Sequence, residues 1–184
     1  TGTARAGATV TVNWGDGSTA TTAIADSAGA WTASHTYADG PKNYIISATS
    51  GTAIAQSVIN VKNVAPVVTG VAATASIVEG GTFTVTGTVT DAGVLDTPSV
   101  VVNWGDGTSS PVNAVAANGN FSLSHLYADD NPTFTSSDKY TVTVTASDKD
   151  KATATAKTTL TVANVAPHTV TLTATTALGA VAVD

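Results

Sequence analysis

The hexapeptide Val-Asn-Trp-Gly-Asp-Gly occurs twice in this chain of 184 residues, at Val12–Gly17 and Val102–Gly107, identical at all six positions and 90 residues apart. Self-similarity at a long fixed period constrains a fold strongly, because each copy must be built as one structural unit. Further markers extend the match. At the same offset Trp31 aligns with Phe121, His35 with His125 and Tyr37 with Tyr127. Tyr44 then aligns with Tyr140, after an insertion in the second copy, and "NVAP" at Asn63–Pro66 aligns with "NVAP" at Asn164–Pro167.

Between the markers the sequence alternates. "TFTVTGTVT" (Thr82–Thr90), "SVVVNW" (Ser99–Trp104), "NFSLSHLY" (Asn120–Tyr127), "YTVTVTAS" (Tyr140–Ser147) and "ATATAKTTLTV" (Ala152–Val162) have the period of two that half-buried strands require. Turn chemistry separates them: "DAGVLD", "GDGTSSP", "AANG" and "DKDK". Charged residues make up only 11% of the chain, against about a quarter in a typical globular protein, so Thr and Ser supply the polar surface. β-Branched side chains of that kind suit a pleated sheet. No amphipathic helix is evident. The fold class read from the sequence is all-β, with short strands stacked as sandwiches.

The copies divide the chain into three parts. Residues 67–167 hold one whole repeat, and residues 1–66 hold a partial one without its N-terminal strands. In this reading the first copy has lost what corresponds to roughly Val67–Ala92. Residues 168–184, opening "HTVTLTATTA" after the second "NVAP", are the opening strand of a further repeat or a strand donated elsewhere. With no Met anywhere, the chain is read as a processed product or a piece of a longer one.

Composition excludes several functions. The net charge is −6 and the seven Lys and Arg are scattered, which opposes binding to nucleic acid and to anionic membrane surfaces. No apolar run approaches the ~18 residues of a membrane helix, so no membrane insertion is expected. Without Cys there is no thiol catalysis. Asp106 with His125 could be read as an acid–base pair, but the same pair recurs as Asp16 with His35, and neither copy places a nucleophile beside it at a shared spacing. A turn held by its Asp, with glycines supplying positive φ, accounts for both copies. No catalytic residue is assigned.

The set "VNWGDG", then "SHTY" or "SHLY", then "YTVTVTASD", then "NVAP", resembles the PKD family of immunoglobulin-like domains, and the resemblance covers nearly all of residues 1–167. It implies tandem immunoglobulin-like β-sandwiches and an extracellular or cell-surface location. It also implies a non-enzymatic spacer or adhesive module that makes protein–protein contacts. Tyr44 and Tyr140 are then either core residues or tyrosines whose hydroxyls bond back to nearby backbone. Some members bind calcium, and matching positions here are Asn63, Asp91 and Asp148, with Glu79, Asp96 and Asp150 as weaker candidates. Two other functions are compatible with the sequence. One is a carbohydrate- or protein-binding module of a secreted hydrolase, which needs an exposed aromatic such as Trp31. The other is a filament subunit assembled head-to-tail by strand exchange through residues 168–184.

Overall fold

A computed structural model describes residues 1–71, 75–112, 115–128 and 135–166 of the chain. These residues contain fourteen strands and no helix. The strands sort into four sheets, and each sheet draws its strands from one half of the chain. The fold is all-β and immunoglobulin-like.

The second half shows the complete pattern. Its strands are β7 (Val67–Thr69), β8 (Ala75–Val78), β9 (Gly81–Thr90), β10 (Ser99–Asn103), β11 (Ser109–Pro111), β12 (Asn120–Tyr127), β13 (Ser137–Ser147) and β14 (Thr153–Ala163), and in the first half β1 (Gly2–Thr3), β2 (Thr9–Asn13), β3 (Thr21–Ile24), β4 (Ala30–Trp31), β5 (Lys42–Ser50) and β6 (Ala53–Val61) precede them. One sheet has the order β11-β10-β13-β14-β8 and the other β12-β9-β7. Alternation along β10, β13 and β14 sends Val100, Val102, Val142, Val144, Leu160 and Val162 inward, where they meet Phe83, Val85, Val89 and Phe121 from the facing sheet. The opening segment serves both sheets: β7 runs antiparallel to β9, and β8 then joins β14 in parallel, with Leu160 opposite Ala75. β13 begins at Ser137, three residues before Tyr140, because its ladder with β14 runs on to Ala163.

The first half repeats this plan in part. Its sheet β3-β2-β5-β6 corresponds to β11-β10-β13-β14, and the pair β1-β4 corresponds to β9-β12. This corrects the sequence reading, which gave the first copy nothing before the equivalent of Gly93. Gly2 pairs with Trp31 and Thr3 with Ala30, as Gly87 pairs with Phe121 and Thr88 with Asn120. A Cβ on Gly2 would stand 2.7 Å from the Trp31 indole, and one on Gly87 would stand 2.6 Å from the Phe121 ring, so each glycine leaves room for an aromatic. The match was hidden because the following loop is five residues shorter: Gly87 lies 85 positions after Gly2, but Asn103 lies 90 after Asn13.

The halves differ most at their edges. β14 is flanked by β13 and β8, whereas β6 has no second neighbour among the described residues. Their equivalent inward residues record the difference: Leu160 is fully buried and Ile59 is 38% exposed. Burial sets the stabilisation that each contributes. Leu160→Ala should therefore cost about 2–5 kcal/mol, as deletions in a closed core do, and Ile59→Ala should cost clearly less. Urea unfolding of the two variants, followed by circular dichroism, checks the ordering.

Candidate functional site

Two groups of side chains could carry chemistry. The first is the repeated Trp-Gly-Asp-Gly turn. Asn13 Oδ1 accepts the Gly15 N–H at 2.9 Å, and Asn103 Oδ1 accepts the Gly105 N–H at 2.9 Å, which starts each turn. Gly15 and Gly105 have φ of 80° and 84°, the left-handed region that a β-carbon disfavours. Asp16 Oδ1 accepts the Ser18 N–H and hydroxyl at 3.0 and 2.6 Å. Asp106 Oδ1 does the same with Thr108 at 2.8 and 2.6 Å.

The second oxygen of each carboxylate reaches across the sandwich. His35 Nε2 lies 2.6 Å from Asp16 Oδ2, and His125 Nε2 lies 2.6 Å from Asp106 Oδ2. Each imidazole stacks on the tryptophan of its own turn, at centroid distances of 5.0 Å (Trp14) and 4.8 Å (Trp104). Each also meets the edge of the tyrosine two residues on. Those tyrosines, Tyr37 and Tyr127, donate their hydroxyls to the carbonyls of Trp14 and Trp104 at 3.0 and 2.7 Å. Burial raises the Tyr127 pKa well above its ordinary range. Tyr44 donates to the Asp39 carbonyl, five residues back, so of its two readings the backbone bond is realised.

This arrangement braces a turn. In a nucleophilic triad the hydroxyl bonds to the imidazole, which removes its proton. Here the Ser18 and Thr108 hydroxyls donate to one carboxylate oxygen and the imidazole bonds the other, so the hydroxyl-to-imidazole bond of a triad is replaced by two bonds to the carboxylate. The bonds hold both carboxylates ionised. Ser18 bonds lower the Asp16 pKa below its ordinary 3.8, chiefly through the hydroxyl. For Asp106 burial acts upward, but the bonds from Thr108 and His125 outweigh it and the net shift is downward.

The second group lies where the halves meet. Asn63 Nδ2 donates to Asp148 Oδ2 at 2.7 Å, and Asp148 Oδ1 accepts the Ala152 N–H at 2.8 Å. Burial alone raises the Asp148 pKa, but these bonds prevail and lower it. Beside it the Lys149 ammonium binds Asp39 of the first half, Asp96 at 2.6 Å and Asp150 at 3.1 Å. The three carboxylates lie within 4.8 Å of one another. Bonds to Asp39 and then Asp96 raise the Lys149 pKa. Asp96 is almost wholly buried, and Asp91 bonds the Gly93 N–H at 2.8 Å.

The residues that the resemblance nominates for calcium are thus only partly gathered. Asn63 and Asp148 bond each other, and Asp96 and Asp150 share Lys149. Asp91 caps its own turn. Glu79 accepts the Val165 N–H at 2.9 Å, beyond the far end of β14 from Asp148 and roughly 30 Å along that strand. Asp39 and Lys149 were missed. The only hint was "YAD", which recurs at Tyr37–Asp39 and Tyr127–Asp129. Trp14 and Trp104 are buried, and Trp31 is half-buried against Gly2, so none stands out as a platform. Residues 168–184, expected to donate a strand, lie outside the described residues.

The depressed carboxylates predict an acid limit to stability. A pKa below 3.8 in the folded state means that the unfolded chain binds more protons as pH falls past that value. The stabilisation is complete above pH 3.8 and is lost as pH falls through the folded-state value. Asp106→Asn should flatten that loss in the second sandwich, as Asp16→Asn should in the first, when melting temperature is measured from pH 6 down to pH 2.

No family model matches the sequence, and no curated protein matches it. Similar solved structures include the PKD domain of an M14-like peptidase from Thermoplasmatales archaeon SCGC AB-540-F20, at 25% identity over 54% of this chain and 92% of that one, TM-score 0.38. They also include a chimeric titin Z1Z2 functionalized with a KLER exogenous peptide from decorin, at 20% identity over 65% of this chain and 60% of that one, TM-score 0.38. A third is the tandem Ig repeats of Dlar, at 13% identity over 88% of this chain and 92% of that one, TM-score 0.37. The paired sheets and their strand order are those of an immunoglobulin-like β-sandwich.

Proposed function

We propose that the chain is a non-catalytic spacer and protein-interaction module of an extracellular or cell-surface protein. The observation that carries this is the junction. Side chains bridge the halves at Asn63–Asp148 and at Asp39–Lys149, and Pro66 of the "NVAP" connector is buried. A connector tied down in this way transmits position from one unit to the next, which a spacer requires, whereas a free linker lets each unit tumble alone. The hydroxyl-to-carboxylate geometry of both turns supports the non-catalytic part. The resemblance of the motifs to PKD repeats supports the location.

The test is 15N relaxation on the full chain. The two sandwiches should share one rotational correlation time, and Asn63→Ala should begin to separate them without unfolding either. Independent tumbling in the unaltered protein would sink the spacer reading.

One observation favours a second reading, assembly by strand exchange. The inward face of the first sandwich is a groove of about 510 Å³ between Trp14, Trp31, Ile46 and Ala55, beside the open edge of β6. In the second sandwich β8 lies on the equivalent edge. Residues 168–184 align with the segment containing β7 and β8, placing Leu178 where Ile77 stands, so a second copy could offer them to β6 in parallel. Sedimentation should then show concentration-dependent association that disappears on deleting residues 168–184 and in Ile59→Glu. A chain that stays monomeric, or a deletion that still associates, rules this out.

A further inference from the structure

The resemblance nominates six residues for calcium, but the donors they offer do not make a shell for one. Calcium takes six to eight oxygens. Of the six nominated residues, Glu79 is at the opposite pole, and Asn63 turns its amide N–H towards Asp148. Asp148 and Asp91 spend an oxygen each on a backbone N–H. Among them only Asp91 Oδ2 and Asp96 Oδ2 are buried without a partner. The position enclosed by the closest carboxylates, those of Asp39, Asp96 and Asp150, holds the Lys149 ammonium.

We propose that Lys149 is the cation of this junction: its ammonium gathers Asp39 from one sandwich and Asp96 and Asp150 from the other, so their alignment needs no divalent metal. The inference deepens the spacer reading and rests on it. Three features converge. Oxygens of the three carboxylates approach within 4.8 Å of one another, and the ammonium among them offsets their mutual repulsion. Asp96 has a side chain only 1% exposed, and a carboxylate so desolvated needs a charged partner, which Lys149 supplies at 2.6 Å. Only Asp39 belongs to the first sandwich, so the same ammonium that neutralises Asp96 also ties the two units. The hairpin between β13 and β14, "SDKDK", carries this lysine, whereas the matching hairpin between β5 and β6 turns through Gly51–Thr52 with no charge. The device therefore exists in one copy of the repeat.

The test again uses the full chain and its rotational correlation times, read in EDTA and in millimolar calcium chloride. The unaltered protein should tumble as one body in both. Lys149→Met should lose the shared correlation time in EDTA, while Lys157→Met, on the exposed side of β14, should keep it. Vacating three carboxylates should also create a response to calcium, so that adding the ion to Lys149→Met restores the common tumbling. Salt should loosen the unaltered junction, since the Lys149 side chain is 42% exposed and its ion pairs are screened. If EDTA separates the sandwiches of the unaltered protein, or if Lys149→Met keeps them together in EDTA, the lysine clamp is wrong. Sandwiches that tumble independently in every condition would instead remove the spacer reading itself.

Discussion

A carboxylate at the head of one sheet, held from both sides, is the constraint on which each sandwich depends. Asp106 fixes its own turn through Thr108 and ties that turn to His125 on the facing sheet. The imidazole lies flat on Trp104, and Tyr127, two residues on, returns a hydroxyl to the tryptophan carbonyl. Four residues thereby join two sheets that share no backbone ladder. Sheet packing alone tolerates sliding, because apolar contacts carry no direction. Directional bonds between the sheets fix how they sit.

The first copy shows that this tie does not depend on the ladder around it. His125 lies in β12, opposite Phe83 of β9. His35 and Tyr37 follow β4 in residues that form no strand. Their contacts to Asp16 and Trp14 nevertheless match those of the second copy to within 0.3 Å. The brace is thus a local unit whose geometry follows from its own residues. What the ladder adds is burial: Phe121 is inside the core, and Trp31 at the same position is half-exposed beside an open groove.

The junction follows a different rule. Exposed ion pairs contribute little as a class. A carboxylate as buried as that of Asp96 is different, since losing its partner leaves a desolvated charge. Because the same ammonium bonds Asp96 of one unit and Asp39 of the other, the neutralisation of Asp96 is linked to one placement of the two units.

The alternating segments, the turns and the duplicated hexapeptide were legible in the sequence because each depends on residues near one another in the chain. Period two gives strands, and Asn-Trp-Gly-Asp-Gly gives a turn that its own side chains cap. The turn-capping role of Asp16 and Asp106 was also legible, since an Asp between two glycines can accept the N–H of the residue two positions on. The strand remnant at Gly2–Thr3 was not, because a loop five residues shorter shifted the register and two residues carry too little pattern to find again. Neither was the Lys149 cluster. Asp39 and Lys149 are 110 positions apart, and nothing local marks either as a partner of the other. Their meeting depends on how one sandwich is set against the next, and that is decided only when every apolar face and every buried charge has been placed.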